Sequence, residues 1–158
     1  MKSPKHLQKG DTIGIISTAR KISREEIDPA IKLIESWGLK VKLGKNLFDV
    51  FHQFAGTTEA RTEDLQNMLD DDSVHAILCA RGGYGTVQLI DSIDFTKFKN
   101  NPKWIAGYSD VTVLHSHLHQ VLGIQSIHST MPINFPVDGN SNIATESLRK
   151  ALFGEPLM

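Results

Sequence analysis

The feature that most constrains the fold is a short apolar run that recurs along the chain and is followed each time by a turn of small or polar residues. The runs lie at 11–17, 74–80 and 104–106, and they are rich in Ile, Val, Leu and Ala. Such runs are typical of strands that are buried on both faces of a parallel sheet. Because helical patterns lie between them, the alternation predicts an α/β fold, with a doubly wound, mostly parallel sheet and helices on both of its faces.

Residues that commonly begin or end helices mark the segments between these strands. Asp28 and Pro29 predict the start of one helix, and Gly38 predicts its end. Apolar spacing and similar punctuation predict further helical segments and two short strands. The helical segments are 58–69, 86–90, 94–100, 111–122 and 143–153, and the strands are 39–43 and 124–127.

Length and composition fit one globular domain. The chain has 158 residues, of which 40% are hydrophobic and 22% charged, and this is enough for a sizeable core. We assign 1–135 to the domain that carries the site, and 136–158 to a linker that begins the connection to a further, C-terminal domain. The formal net charge is −1, so no broad basic field argues for nucleic acid as a partner.

Several other kinds of partner are also not expected. No apolar run reaches the length of a membrane span, and no apolar segment follows the charged N-terminus, so we predict a cytoplasmic protein without a membrane partner. Cys79 is the only cysteine, which excludes a disulfide framework or a cysteine-based zinc site within the chain. His115 and His119 lie four residues apart on a predicted helix, but without an evident third ligand we predict a solvated or interfacial face, no metal and no other cofactor.

One edge of the predicted sheet collects the chemically useful residues. In open parallel sheets, ligands bind outside the carboxyl ends of the strands. That rule places the segments 17–18, 81–85 and 109–110, together with His128, on one rim. We therefore place the functional site on this rim.

Ser109 is the candidate nucleophile of the rim. It lies in a Gly-Tyr-Ser-Asp turn between a predicted strand and a predicted helix. A serine on such a turn projects its hydroxyl beyond the sheet, and the free N–H groups at the start of the helix can stabilise an oxyanion. The Gly-x-Ser-x-Gly pattern is only half present, because Val111 replaces the second glycine. The local pattern alone favours a helix cap at Ser109 or Asp110, whereas the position on the rim favours a nucleophile.

Glycines also follow the predicted strand at 74–80. The bend Arg81-Gly82-Gly83-Tyr84-Gly85 matches neither a phosphate-binding P-loop nor the Gly-x-Gly-x-x-Gly dinucleotide fingerprint. This argues against a flavodoxin-like domain that binds nucleotides. The backbone N–H groups of the bend can still form a nest for an anion or an oxyanion.

Five motifs in register identify a related family. They are Gly10-Asp11-Thr12-Ile13-Gly14-Ile15, Arg61 with Glu63-Asp64-Leu65, Ala80-Arg81-Gly82-Gly83-Tyr84-Gly85, Gly107-Tyr108-Ser109-Asp110-Val111-Thr112, and His128 before Met131. Together they resemble the LD-carboxypeptidase family of serine peptidases, which includes muramoyltetrapeptide carboxypeptidase and the microcin self-immunity proteins. The resemblance covers essentially the whole chain, and the expected fold is a three-layer sandwich of the flavodoxin-like or class I glutamine amidotransferase-like kind.

The resemblance implies an activity and a set of site residues. Members of this family are bacterial cytoplasmic enzymes of cell-wall recycling that cleave the amide bond between an L-centre and a terminal D-amino acid of a murein peptide. By the same resemblance Ser109 is the nucleophile, and the backbone N–H groups of Gly83 and Asp110 form the oxyanion hole. Arg81 and Tyr84 would lie near the substrate. The family triad is Ser-Glu-His and needs no metal.

The chain departs from the family pattern at three points. The small Ala-Pro-Ser-like turn after the first strand is Ser17-Thr18-Ala19-Arg20 here, and the usual His-Gly-Pro-Met is His128-Ser129-Thr130-Met131. In the family, the Glu and His of the triad come from a second, C-terminal domain, so we expect this chain by itself to be inactive. His128 would be a poor substitute base, because no acidic residue is evident to hold its tautomer.

A second function and an assembly state also follow from these patterns. A non-catalytic module could bind a peptide or a small anion at the 81–85 bend. If a second domain normally covers the rim, apolar side chains are exposed there, and we expect self-association as a homodimer. The candidates for this surface are Phe48, Phe51, Phe54 and Tyr108.

Overall fold

Five parallel strands in the order β2-β1-β3-β4-β5 form the centre of the molecule. The computed structural model describes residues 1–157. Its strands and helices alternate along the chain, as predicted. They are β1 (Thr12–Ile16), α1 (Arg24–Ser36), β2 (Lys40–Leu43), α2 (Thr58–Asp70), β3 (Ala76–Cys79), α3 (Thr96–Asn100), β4 (Trp104–Gly107), α4 (Thr112–His117), β5 (Ile127–His128) and α5 (Ile143–Phe153).

Alternate side chains of the central strands feed two separate cores, one on each face of the sheet. Ile13 and Ile15 of β1 belong to the core that also contains α1 and α5, whereas Ile16 belongs to the core under α2, α3 and α4. Strands β3 and β4 divide their side chains in the same way. Because both faces are covered, these strands need apolar residues at every position, which is why their sequences do not alternate. The predicted α/β fold with helices on both faces is confirmed.

The first helix begins earlier than predicted. We expected Asp28 to cap it, but α1 starts at Arg24 and Ser23 is its N-cap. The Ser23 hydroxyl accepts from the Glu26 amide at 3.2 Å, and the Glu26 carboxylate accepts from the Ser23 amide at 2.8 Å. This reciprocal capping satisfies free donors at the helix start, so Pro29 lies inside the helix.

Two other segments also differ from the expected pattern. The helix expected at 86–90 is replaced by short 3₁₀ turns at Thr86–Gln88 and Ile90–Ser92. The helix expected at 111–122 is a 3₁₀ turn at Ser109–Val111, then α4, then a π turn at Leu118–Leu122. The tight turns keep the segment after β3 close to the rim.

The segment 136–157 contains α5 as predicted and packs on the same core as α1. Asn142 caps α5, Leu148 and Leu152 are buried, and the Leu7 amide donates to the Leu152 carbonyl at 2.8 Å. Its assignment as a linker toward a further domain stays a prediction, and Met158 lies outside the described residues. Within 1–157, the helices are too short or too polar to cross a bilayer.

Candidate active site

The rim lies where β1, β3 and β4 end, at the point where the sheet changes its direction of winding. β1 pairs with β2 on one side and with β3 on the other, so the connections that leave β1 and β3 cover opposite faces. The turns that follow these strands diverge and leave a crevice between them, which is the usual ligand position in sheets of this order. The structure brings the 17–21 turn, the 81–85 bend and Ser109 together at this crevice.

Ser109 has the geometry expected of an exposed nucleophile. It is exposed and has a φ of 61°, a left-handed value that costs a residue with a side chain on the order of 1–2 kcal/mol. A β-carbon added to Gly82 would lie 3.3 Å from Ser109 Cβ and 3.4 Å from its Oγ. A side chain at position 82 would therefore crowd Ser109. Among the described residues, Ser109 Oγ makes no hydrogen bond, so Ser109 does not cap the helix through its side chain.

Gly83 and Asp110, the predicted oxyanion-hole residues, directly follow Gly82 and Ser109, which lie against each other. Gly83 follows Gly82 directly and has a φ of 121°, which favours glycine. The backbone N–H groups of Gly83 and Asp110 donate to no other residue within 1–157. Unpaired amides beside a serine hydroxyl are available to a developing oxyanion.

The Asp110 side chain ties two parts of the rim together. Its Oδ2 accepts from the backbone N–H of Thr86 at 2.9 Å, which joins the turn after β4 to the segment after β3. The Thr86 hydroxyl in turn lies 2.7 Å from the Thr18 hydroxyl, next to β1. Asp110 therefore positions the glycine bend relative to Ser109, in addition to its predicted backbone role.

Arg61 lies beneath the rim and was not singled out as a site residue. Its Nη1 donates to the carbonyls of Thr18 at 2.8 Å and Gly85 at 3.2 Å, and its Nη2 donates to Gln88 Oε1 at 2.8 Å. The guanidinium carbon lies 4.7 Å from the ring centre of Phe54. The side chain is only 1% exposed, and burial lowers the Arg61 pKa while Asp110 opposes that shift. Arg61 belongs to one of the five motifs that indicate the family. Only the tertiary contacts show that it joins the turn after β1 to the bend after β3.

Arg81 and Tyr84, the predicted substrate-binding residues, leave the bend in the direction of a loop at 48–54. Arg81 is half-buried, and its Nη1 donates to the Lys21 carbonyl at 3.2 Å. Tyr84 is exposed, and its ring centre lies 6.5 Å from that of Phe54. Arg81 lines the crevice and Tyr84 is exposed on the same bend, so both are accessible to a ligand there.

The histidines do not complete a triad with Ser109. His115 is buried, so the expectation of a solvated face is wrong for this residue; its Nε2 lies 2.9 Å from the Gly107 carbonyl and its Nδ1 lies 2.7 Å from Ser126 Oγ. His119 Nε2 also contacts Ser126 Oγ, at 3.0 Å. His128 packs on the Tyr108 ring, with 6.3 Å between ring centres. Over 1–157 no group of three His, Cys, Asp or Glu residues is arranged to hold a metal ion.

Cys79 can be set aside as an alternative nucleophile. It lies at the end of β3 and is fully buried. Burial raises the pKa of the Cys79 thiol to about 12, so the reactive thiolate is scarce at neutral pH. Ser109, by contrast, is exposed at this edge of the sheet, so it stays the candidate nucleophile.

Comparison with known proteins decides the family. The profile of the LD-carboxypeptidase N-terminal domain matches residues 13–129. The chain belongs to the LD-carboxypeptidase family. The resemblance carried by the five motifs is therefore confirmed, and so is the expected fold.

Individual relatives of this LD-carboxypeptidase domain are longer than the chain. It is 43% identical over 128 residues to the "Probable murein peptide carboxypeptidase" of Bacillus subtilis (strain 168), covering 81% of this chain and 40% of that protein. It is 29% identical over 141 residues to the murein tetrapeptide carboxypeptidase of Pseudomonas aeruginosa, covering 84% and 46%. A crystal structure of an MccF-like protein from Bacillus anthracis str. Ames superposes with a TM-score of 0.85 at 26% identity, covering 96% of this chain and 47% of that one. The chain thus spans about half the length of these relatives or less.

Proposed function

We propose that this chain is the nucleophile-bearing part of a serine carboxypeptidase that removes a terminal D-amino acid from a murein tetrapeptide in cell-wall recycling. The observation that carries the proposal is that Ser109 is exposed, has a positive φ and lies against Gly82 of the glycine bend, where the backbone N–H of the next residue, Gly83, makes no hydrogen bond within 1–157. A family of carboxypeptidases, with relatives named for murein peptides, supports the same reaction class.

The reaction uses these groups in a fixed order. Ser109 Oγ attacks the carbonyl carbon of the scissile L,D-amide, and a general base accepts its proton. The amides of Gly83 and Asp110 bind the oxyanion of the tetrahedral intermediate; one such donor typically contributes about 10²–10³-fold in rate. The C–N bond then breaks as the base returns the proton to the amine of the D-amino acid. Water, deprotonated by the same base, hydrolyses the acyl-enzyme ester and restores the hydroxyl.

The general base is proposed to come from sequence outside these 158 residues, as a His held by a Glu. In support, Ser109 Oγ has no histidine partner within 1–157, and His115 is already hydrogen-bonded elsewhere. Loss of a triad base typically costs about 10³–10⁶-fold in rate. We therefore expect little or no hydrolysis by the 158-residue chain alone.

The test joins the chain to its native downstream sequence and measures release of D-alanine from murein tetrapeptide. Ser109→Ala should reduce kcat by about 10³-fold or more, whereas Ser116→Ala, at an exposed serine of α4, should leave it unchanged. Full activity of the Ser109→Ala protein would refute the proposal.

A second candidate function is a module that binds a peptide or anion without cleaving it. It is favoured by the basic side chains that line the crevice without a carboxylate partner in the described chain. The joined protein distinguishes the two functions. If it binds tetrapeptide but releases no D-alanine, the binding module is favoured.

The assembly and location belong to the same proposal. Phe48 and Phe51 are exposed near the rim, whereas Phe54 and Tyr108 are half-buried. We propose that this surface joins a second copy of the chain or a further domain, in a cytoplasmic protein. Light scattering of the isolated chain at high concentration should detect dimers; a clean monomer would contradict the self-association.

A further inference from the structure

The turn that departs from the family pattern ends in a charged side chain that faces the rim. Arg20 closes the Ser17-Thr18-Ala19-Arg20 turn after β1, and its side chain is exposed. A β-carbon added to Gly83 would lie 2.3 Å from Arg20 Cγ and 2.5 Å from Cδ. The aliphatic stem of Arg20 therefore covers the glycine proposed for the oxyanion hole. Gly82, one residue earlier, lies against Ser109, so the Arg20 stem packs on the same glycine bend that borders the proposed nucleophile.

Arg20 is one of several basic side chains that line an open pocket of about 410 Å³ in the crevice between β1 and β3. The pocket is lined by Arg20, Lys21, His52, Gln53 and Arg81. None of its arginines or its lysine forms an ion pair with a carboxylate of residues 1–157. Several unpaired cations that share one cavity repel each other, and an anion that enters removes this repulsion.

The walls of the pocket are held in place by backbone hydrogen bonds. The Lys21 amide donates to the Gln53 carbonyl at 3.0 Å, and the Ala55 amide donates to the Ala19 carbonyl at 3.0 Å. Phe51 and Phe54 exchange amide-to-carbonyl bonds of 3.1 and 2.9 Å, which closes the tip that carries His52. The basic groups are thus presented by a fixed frame, which lowers the entropy lost when a ligand binds.

The backbone strain of the described chain is concentrated at this place. Within 1–157, the non-glycine residues with a positive φ are Ser109 at 61° and His52 at 55°. His52 lines the pocket, and Ser109 lies against Gly82 of the 81–85 bend. Strained residues persist where the surrounding structure fixes them, and they cluster at functional sites. The strained backbone at His52 favours a functional role for the pocket.

We propose that this pocket binds a carboxylate of the peptide substrate, with the Arg20 guanidinium as its principal donor and Lys21 and Arg81 as supporting charges. The identity of the ligand rests on the proposed peptidase function. A guanidinium binds a carboxylate through two parallel N–H···O bonds, and such a contact beside Ser109 fixes where along the peptide the scissile carbonyl lies. The carboxylate is either the C-terminal one or one on a side chain near the scissile bond.

Binding to the 158-residue chain tests this without any turnover. A synthetic murein tetrapeptide with D-alanine at its C-terminus and a side-chain carboxylate on its third residue is titrated into ¹⁵N-labelled protein. The amide signals of Arg20, Lys21, Gly83 and His52 should shift and saturate. Arg20→Gln, which keeps the stem over Gly83, should weaken binding about ten- to hundredfold. Arg20→Lys should bind with intermediate affinity, and Lys32→Gln, an exposed control on α1, should bind like the wild type.

Two modified peptides identify the source of the carboxylate. One has an amidated C-terminus and the other has lysine as its third residue. The peptide that loses the binding and the sensitivity to Arg20→Gln has lost the recognised group. If neither modification weakens binding, or if adenosine monophosphate shifts these signals while the tetrapeptide does not, the carboxylate proposal is wrong.

Kinetics of the Arg20→Gln variant distinguish carboxylate binding in the pocket from the peptidase activity itself. In the joined protein, Arg20→Gln should raise KM about tenfold or more for the peptide that carries the recognised carboxylate, and should leave KM unchanged for the peptide that lacks it. A purely structural role of Arg20 would change both alike. If hydrolysis depends on Ser109 but Arg20→Gln has no effect, the pocket assignment fails while the peptidase function stands.

Discussion

The basic side chains at the amino edge of the sheet have hydrogen-bond or ion-pair partners, whereas those in the crevice at the carboxyl edge have no carboxylate partner within 1–157. At the amino edge, Lys103 is buried and its Nζ donates to the carbonyls of Met68 at 3.0 Å and Asp71 at 2.6 Å. Lys42 pairs with Asp71 there, and His75 lies 3.5 Å from Asp11. At the carboxyl edge, the basic side chains of the crevice have no carboxylate partner within 1–157, and Ser109 has strained backbone geometry.

The difference separates groups that stabilise the fold from groups that are available to a ligand. A buried charge with satisfied partners contributes to folding, whereas unpaired donors and left-handed residues reduce stability and persist where function requires them. Arg61 is the exception at the carboxyl edge, because it is buried and bonded to two turns. It supplies the rigid base on which the unpaired groups lie. The following predictions test this division.

The largest expected change in the free energy of unfolding is at Arg61. Arg61→Met removes hydrogen bonds to Thr18, Gly85 and Gln88 and leaves the carbonyl of Thr18 without a donor. We expect the free energy of unfolding to fall by about 4 kcal/mol, measured by urea denaturation. The same substitution at Arg149, which pairs with Glu146 and Glu155 on the surface, should cost less than about 1 kcal/mol. Equal losses at the two sites would show that Arg61 does not hold the rim together.

The next effect depends on pH and arises at Asp64, below the end of β2. Its carboxylate accepts from the backbone and side-chain N–H groups of Asn46, and burial raises the pKa of Asp64 to about 6. In the unfolded chain an aspartate titrates near about 4. The folded state therefore binds the extra proton between these values, and the contribution of Asp64 to stability falls as pH rises from about 4 to about 6.

Asp64→Asn removes this titration. Its free energy of unfolding relative to the wild type should rise through the window from pH 4 to 6, by as much as about 3 kcal/mol, and should be constant above it. Urea titrations at pH 4, 5, 6 and 7 measure the difference. A difference that does not change with pH would mean that Asp64 is not charged at a buried position above pH 6.

At the amino edge, Lys103→Met should cost about 2 kcal/mol of unfolding free energy. The substitution removes the hydrogen bonds to the carbonyls of Met68 and Asp71, of which only the second keeps another donor, the Val74 amide. The exposed Lys99→Met provides the control and should change stability little. Tetrapeptide binding at the rim should be unaffected by Lys103→Met at a temperature where the variant is folded. A loss of binding would break the division between the two edges.

The smallest expected effect is an increase in stability, at Ser109. Ser109→Gly relieves the left-handed strain at φ 61°, so we expect the free energy of unfolding to increase by about 0.5–1 kcal/mol. Thermal denaturation should show a rise of about 1–4 °C. The same change at the exposed helix residue Ser116 should instead destabilise the protein. If Ser109→Gly is also destabilising, the serine is not held in a costly conformation for the sake of its chemistry.

Much of the rim could be predicted because each of its parts is encoded locally. The position of Ser109 between an apolar run and a helix, and the glycines at 82, 83 and 85, are visible in a short stretch of sequence. The start of α1 was misplaced because two adjacent signals competed. Asp28-Pro29 is a common helix start, but Ser23 and Glu26 form a capping box with two reciprocal bonds, and the stronger cap decides where the helix begins.

Arg61 and Arg20 could not be interpreted in the same way. Arg61 contacts Thr18 and Gly85, which are 43 and 24 residues away, and a helix pattern does not show which turns pack against it. In the sequence, Arg20 is only the last residue of a turn that differs from the Ala-Pro-Ser-like turn of the family. Its importance depends on the distance between its stem and Gly83 and on the basic groups that share the pocket.

The sequence by itself determined the strand and helix alternation, the buried central strands, the serine turn and the family. These depend on apolar periodicity and on residues whose conformational preferences act over a few positions. Only the tertiary structure decided which charges are paired, which turns Arg61 joins, and that Arg20 lies against Gly83 beside Ser109. The physical reason is that pairing and burial depend on which segments the parallel sheet brings side by side, and β1, β3 and β4 are neighbours in space but not along the chain.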